Sequence, residues 1–352
     1  MEDYLFVLGR DRELSFLELI CYLNRKNIKY NIKDKWNDLV LVSLNDNVNI
    51  EELGGIIKIA KVILKSKNKK EILNKIEIPN KNKVYYSVND DSIKEILNKR
   101  FKEEQIKAFY KSDVNDPSTA MNLDLELIYF RDYLAKVIQI SNPKSYKKRD
   151  ETRPRFDERK VISIRLAKIL INLSQAKNEI LDPFCGAGTI LQEALLLGLD
   201  AYGLDINIQD SKENLSWLTK NFNIKNKYKL FQGDSQDLTK YIHNVEAVVT
   251  EPYLGPYLKT YPKHEEAKYT ILRLQSLYKK VFSELNKITN KIVIIFPIII
   301  AKDKKRFHID INLILSKTNF KVANHKIKLP LLYKHKGSIL EREIWIFEKS
   351  KL

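Results

Sequence analysis

Asp182-Pro183-Phe184-Cys185-Gly186-Ala187-Gly188 lies between a short apolar strand, Glu179-Ile180-Leu181, and a helical run from Thr189 through Ile190, Leu191, Ala194, Leu195 and Leu196. A strand that ends in a glycine turn and enters a helix is the opening unit of an open α/β sheet, and such sheets bind small molecules at that turn. Gly186 and Gly188 let the backbone turn sharply and approach a ligand without side-chain clash. A dinucleotide-binding turn would carry a third glycine three residues on, for close helix packing, and would cradle a pyrophosphate at the helix N-terminus. Position 191 is instead Leu, and the strand closes on a carboxylate, Asp182. That acid repels phosphate and attracts a ligand bearing an ammonium and a sulfonium, a description that fits S-adenosylmethionine. On the turn alone, an ordinary glycine turn with no ligand stays open.

The pattern repeats downstream. A second strand, Ala201-Tyr202-Gly203-Leu204, ends in Asp205, 23 residues after Asp182, near the spacing at which α/β folds place an acid on a ribose hydroxyl. A third, Tyr228 to Gln232, is followed by Gly233-Asp234, whose carboxylate can accept from an adenine amine. A fourth, Val245 to Val249, runs into Thr250-Glu251-Pro252-Tyr253-Leu254-Gly255-Pro256-Tyr257. An acid, a proline and aromatics there suggest a nucleobase site. One such acid by itself reads as a solvated loop residue, but acids just past successive strands mark the rim where open parallel sheets bind ligands. Ile292 to Ala301 reads as a buried fifth strand, and Phe320 to Ile327 and Arg342 to Glu348 as the last two of seven. Helices are expected over Ile162 to Leu173, with apolar residues at 162, 166, 169, 170 and 173 on one face, and near 210–222, 264–286 and 304–317.

With these motifs in place, the chain resembles the THUMP-containing RNA methyltransferases with a Rossmann-like catalytic domain, and among them the tRNA guanosine-10 exocyclic-amine methyltransferases of archaea and eukaryotes. The family's cofactor motif looks like Asp182 to Gly188, including Phe184, Gly186 and Gly188, with Asp205 and Asp234 in the ribose and adenine positions. Its catalytic motif, Asp-Pro-Pro-Tyr-Gly after a Thr, aligns without a gap onto Thr250 to Gly255. There the chain departs: Glu251 replaces Asp, Tyr253 the second Pro, and Leu254 the aromatic. The resemblance continues in Tyr4 to Arg10 with Glu13-Leu14-Ser15, in Leu53 to Ala60, in Arg153-Pro154-Arg155 with Arg165-Leu166-Ala167, and in Lys336-Gly337-Ser338.

The resemblance implies an α/β chain with a class I methyltransferase fold, a seven-stranded sheet whose last strand is antiparallel. It implies an enzyme that moves a methyl group from S-adenosylmethionine to the exocyclic N2 amine of a guanosine in tRNA. Glu251, Pro252 and Tyr253 would be its catalytic residues. Two rival readings stand beside it: an adenine-N6 methyltransferase on RNA or DNA, and a non-catalytic RNA-binding protein that retains the cofactor pocket.

Texture along the chain divides it further. Residues 1–52 alternate strand, helix and strand, a small α+β unit with Leu5 to Leu8, Ser15 to Leu23 and Leu39 to Leu44 as its elements, which the resemblance implies is ferredoxin-like. Residues 53–140 match in length the THUMP-like RNA-binding domain that the resemblance implies, while their periodicity alone also permits other α+β folds, with helices expected at 56–64, 69–76 and 91–100 and strands at Val84 to Val88, Leu125 to Phe130 and Ala135 to Ile140. Residues 141–160, charged and with two prolines, are a linker in which Arg149, Arg153 and Arg155 are candidate phosphate contacts; a solvated tether is the alternative. The methyltransferase domain spans 161–352.

Composition points the same way. With 352 residues, 62 Lys and Arg against 45 Asp and Glu, and a net charge of +17, the chain is long enough for two or three domains and suits a phosphate backbone. A low-GC codon bias would also raise its lysine content. Its 2 cysteines, Cys21 and Cys185, fall in different expected domains, which excludes a disulfide framework or clustered-cysteine zinc motif and suits a reducing, cytoplasmic setting. The histidines, His243, His264, His308, His325 and His335, show no metal-ligand spacing, so no metal is expected. Met1-Glu2-Asp3 lacks a signal peptide's basic flank, and the longest apolar run contains Pro297 and is far shorter than the roughly 20 residues of a membrane span. No membrane partner is expected, and a monomer is the simplest state.

Overall fold

The computed structural model describes residues 1–352 apart from 69–70, 72–73, 113, 115, 158–161, 335–338 and 350–352. The Lys336-Gly337-Ser338 likeness, His335, part of the helix expected at 69–76 and the end of the linker therefore lie outside the described residues. The chain forms two units, Met1–Leu19 with Lys26–Arg149, and Ile20–Arg25 with Asp150–Leu352.

The first unit is built on β1 (Glu2–Leu8), α1 (Arg12–Arg25) as far as Leu19, β2 (Tyr30–Trp36), β3 (Leu39–Leu44), β4 (Ile56–Lys65), β5 (Lys83–Val88), α2 (Asp91–Glu103), β6 (Lys107–Tyr110), α3 (Pro117–Ala120), β7 (Leu125–Phe130) and β8 (Tyr133–Ile140). Its strands form one sheet in the order β2-β3-β1-β4-β8-β7-β5-β6. The helix expected at 56–64 is a correction: it is strand β4, paired antiparallel to β1 through Tyr4↔Lys61 and to β8 through Ala60↔Val137. A short run of mostly Ile, Val, Leu and Ala satisfies either periodicity. Its β-branched residues and its central place, with ladder partners on both sides, decide for strand. The boundary expected at residue 52 falls between β3 and β4, both of which pair with β1. Asp90 caps α2 by accepting from the Ile93 amide at 2.9 Å, and Ile93, Leu97 and Phe101 of that helix are buried with Val84, Tyr86 and Leu127.

Residues 143–152, expected within a linker, form the helix α4 (Pro143–Thr152), which buries none of its side chains. The second unit then runs α5 (Ile164–Ser174), β9 (Glu179–Asp182), α6 (Thr189–Leu196), β10 (Asp200–Asp205), α7 (Gln209–Asn221), β11 (Tyr228–Gln232), β12 (Ala247–Thr250), α8 (His264–Ile288), β13 (Lys291–Ile300), β14 (Arg306–Phe307), α9 (Ile311–Leu315), β15 (Phe320–Val322), β16 (Leu331–Tyr333) and β17 (Glu341–Lys349). Its main path has the order β11-β10-β9-β12-β13-β17-β15. The pairs from β11 to β13 are parallel, and β17 is antiparallel to β13 and β15. This is the seven-stranded, class I Rossmann-like sheet with an antiparallel last strand that the sequence leads one to expect, extended by β14 on β13 and β16 on β17.

Two expectations there were too long. The helix expected at 304–317 is the pair β14 and α9, because Phe307 is drawn into a ladder with Ile299 and Asp310 caps a helix that begins only at Ile311. The strand expected to run to Ile327 stops at Val322. The core lies between α8 and the sheet, where Tyr278, Phe282 and Leu285 meet Val248, Ile292, Phe296 and Phe347.

Candidate active site

In a parallel sheet the residues just past neighbouring strands share one edge, so register assembles the site. Asp182 pairs with Gly203 and Asp205 with Gln232, while Val248 pairs with Leu181. The loops after β9, β10, β11 and β12 thereby bring the candidate acids Asp182, Asp205, Asp234 and Glu251 to the carboxyl rim.

Asp182 is buried, 2% exposed. Its Oδ1 accepts from the Thr250 hydroxyl at 2.6 Å and from the Phe184 amide at 3.1 Å. Burial pushes its carboxyl up to about 7, and the negative charges of Asp205 and Glu251 add to that rise. Phe184 packs against the sheet core. Gly186 has φ of 47°, with open space where a Cβ would project, and its amide donates to Asp205 Oδ2 at 2.8 Å. Asp205 Oδ1 accepts from the Asn207 amide at 3.1 Å. Gly188, φ 79°, opens α6.

The close helix packing that a third turn glycine would permit is supplied from elsewhere. A Cβ on Gly203 of β10 would lie 2.5 Å from Leu191 Cδ1, so the strand rather than the helix gives up its side chain. Asp234 caps the short helical segment that follows β11, accepting from the Gln236 amide at 2.8 Å and its Nε2 at 2.9 Å. The Ser235 hydroxyl donates to the Pro183 carbonyl, tying that segment to the glycine turn.

After β12, Pro252 is buried and Tyr253 is 56% exposed. The Tyr278 hydroxyl of α8 donates to the Tyr253 carbonyl at 2.6 Å and pins the loop from below. Glu251 Oε1 accepts from Arg342 Nε at 2.7 Å. Sequence reasoning did not single out Arg342. Its signal was weak, since it lies near the start of β17, 91 residues from Glu251. Beside the loop lies a cleft of about 740 Å³, lined by Gln236, Tyr253, Gly255, Tyr269, Thr270 and Arg273 among others. Arg273 Cζ lies 5.8 Å from the Tyr269 ring centre. Tyr257 and Tyr261, next along the chain, are exposed.

The three basic candidates separate. Arg149 is on α4, with its guanidinium 5.8 Å from the Tyr146 ring. Arg153 is not a surface group: its side chain is 1% exposed, pairs with Asp150 at 3.1 Å and donates to Thr189 Oγ1 at 2.8 Å. It braces the first residue of α6 and is removed from the phosphate-contacting set. Arg155 holds Glu213 through two bonds of 2.6 and 3.1 Å, and the Asn214 side chain joins the Arg155 carbonyl to Ala187 of the turn. The basic stretch read as a tether is thus, from Arg153 to Arg155, part of the turn's support. Among the described residues no cluster of His, Cys, Asp or Glu could hold a metal ion, and no helix is long and apolar enough to cross a membrane.

Residues 23–215, more than half of the chain, match the model of a family described as DNA methylase. Residues 152–308 match one described as RMKL-like, methyltransferase domain. A tRNA (guanine(10)-N2)-dimethyltransferase of Methanothermobacter thermautotrophicus is 35% identical over 113 residues, 31% of this chain and 32% of that protein. Its namesake in Pyrococcus abyssi is 33% identical over 138 residues, 35% of this chain and 40% of that protein. The chain thus spans well under half the length of these relatives. The crystal structure of TrmN from Thermus thermophilus superposes over 99% of both chains with a TM-score of 0.54 at 12% identity, a likeness of fold.

Proposed function

The chain belongs to the methylase family whose model covers more than half of it, and on that premise we propose that it transfers a methyl group from S-adenosylmethionine to the exocyclic N2 amine of a guanosine, guanosine-10, in tRNA. One observation carries the reading: a rim of carboxylates, with a buried Asp182 that has no cationic partner among the described residues, opens beside an acid-proline-tyrosine loop and an aromatic cleft. In a chain of net charge +17, such an acidic edge suits a small cationic ligand and repels phosphate. The names of the two relatives direct the choice of guanine in tRNA.

Bound there, S-adenosylmethionine would supply a methyl group activated by its sulfonium. Asp205 would hold the ribose hydroxyls, Asp234 the adenine amine, and Asp182 the ammonium end, with Gly186 and Gly188 giving backbone access and Phe184 an apolar wall. A guanine amine is a weak nucleophile because its lone pair is delocalised into the ring. Glu251 and the backbone beside Pro252 would accept its hydrogens, returning electron density to nitrogen and fixing its approach. Tyr253 at the mouth of the cleft offers a face for a base turned out of its helix. The first unit would serve as the ferredoxin-like and THUMP-like RNA-binding half over residues 1–52 and 53–140, with Arg149 of the 141–160 segment on the phosphate backbone and the catalytic domain over 161–352.

Nucleoside mass spectrometry of total tRNA incubated with the protein and labelled cofactor tests the reading. Labelled N2-methylguanosine or its dimethyl form, mapped to position 10, is the expected result. Label in N6-methyladenosine would replace guanine by adenine, and tRNA binding without any label would leave an RNA-binding protein.

A further inference from the structure

Arg342 reaches Glu251 from β17, whose Arg342 position pairs with Pro297 of β13. The two side chains are 20% and 14% exposed, and Nε meets Oε1 at 2.7 Å. The Arg342 Nη1 atom is buried with no hydrogen-bond partner. Glu251 is therefore the one carboxylate that compensates this guanidinium among the described residues. A half-buried guanidinium with one orphaned buried donor is costly and is retained where its position has a use.

Glu251 has three side-chain torsions and, unheld, would spread over many rotamers. Around it stand Asp182 of β9, Asp205 beyond it, the phenol of Tyr278 and the Arg342 cation. Of these, the neighbouring acid Asp182 repels its carboxylate, and Arg342 is the one cation. We infer that Arg342 is a positioning residue: by holding Oε1 it fixes the Glu251 carboxylate at the rim and presents Oε2 to the amine that receives the methyl group. This rests on the role given to Glu251 above. A carboxylate displaced by about 1 Å can cost on the order of a hundredfold in rate, so the pair would act through geometry and charge without touching the substrate.

Sinefungin, a cofactor analogue with an amine where the transferable methyl group sits, probes the carboxylate without any RNA. Its affinity relative to S-adenosylhomocysteine is measured by calorimetry in the wild type, Glu251→Gln, Arg342→Met and the double variant. The expected result is a wild-type preference for sinefungin that falls about tenfold in each single variant and no further in the double, with Arg342→Lys recovering part of it and guarding against a folding defect. Loss in Glu251→Gln with none in Arg342→Met overturns the inference, as does a wild type with no preference. In methyl transfer to tRNA, Arg342→Met should lower kcat about a hundredfold while KM for tRNA stays within threefold; an unchanged kcat overturns it too. A wild type that methylates no tRNA would sink the proposed substrate, and the sinefungin ratios would still decide the role of Arg342.

Discussion

Glu126 in the first unit and Asp182 in the second are both buried carboxyls, and burial pushes both above their ordinary range. They are satisfied in opposite ways. Glu126 has its own counter-ion, Lys58 Nζ at 2.5 Å, and that ammonium also donates to the Val114 carbonyl at 2.5 Å. Among the described residues, Asp182 has a hydroxyl and an amide but no cation. A buried ion pair is neutral in sum and serves the sheet in which it sits. A buried acid with only neutral donors holds a proton near neutral pH and gives it up when a cationic ligand arrives. The difference separates charge paired within the fold from charge left open to a ligand of opposite sign.

The largest effect should come from breaking the internal pair. Lys58→Met leaves Glu126 buried beside an apolar chain and should destabilise the first unit by about 3–5 kcal/mol, most of which Glu126→Leu in the same chain restores. Chemical denaturation followed by a probe in the first unit checks this, with S-adenosylmethionine affinity expected to stay unchanged. A single variant as stable as wild type would break the comparison.

Next comes the pH response of Asp182. Folded, it keeps its proton up to about 7; its ordinary value is 3.8. The folded state therefore binds the extra proton between those values, so this group's contribution to stability is full below about pH 4 and is lost as pH rises to about 7. Ligand affinity runs the other way, because the cation needs the ionised acid. S-adenosylmethionine should bind about threefold more tightly at pH 7.5 than at pH 6.5, and Asp182→Asn should flatten that slope. Calorimetry at the two values is sufficient, and an Asn variant with the wild-type slope would assign the proton elsewhere.

The smallest effect is expected at Arg155. Its guanidinium is already held by Glu213, so Arg155→Ala should change tRNA affinity less than threefold and leave the salt slope nearly as it was. Removing Arg149 should lower that slope by close to one unit. A salt slope lowered by a full unit in Arg155→Ala would show that this guanidinium meets RNA despite its bond to Glu213.

Legibility in the sequence followed the same division. The glycine turn, the acids after β9, β10 and β11 and the alternation of strand with helix could be read directly, because each is a local junction whose chemistry fits within a few residues. The run Ile56–Lys65 could not, since its apolar residues satisfy both periods and only its neighbours β1 and β8 choose. Arg153 looked like a solvent-facing charge because it stands in a charged, proline-bearing stretch; a contact with Thr189, 36 residues away, put it inside.

By itself the sequence determined the α/β class, the seven-strand sheet of the second unit and the acids that line its rim, because strand, turn and helix preferences act over distances of a few residues and parallel strands necessarily share a carboxyl edge. The tertiary structure alone decided which charges are paired. It set Arg342 on Glu251, placed Lys58 on Glu126, buried Arg153 behind the turn and, among the described residues, gave Asp182 a hydroxyl and an amide but no cation. Pairing depends on desolvation and on approach between residues tens of positions apart, and neither quantity exists until the chain has packed.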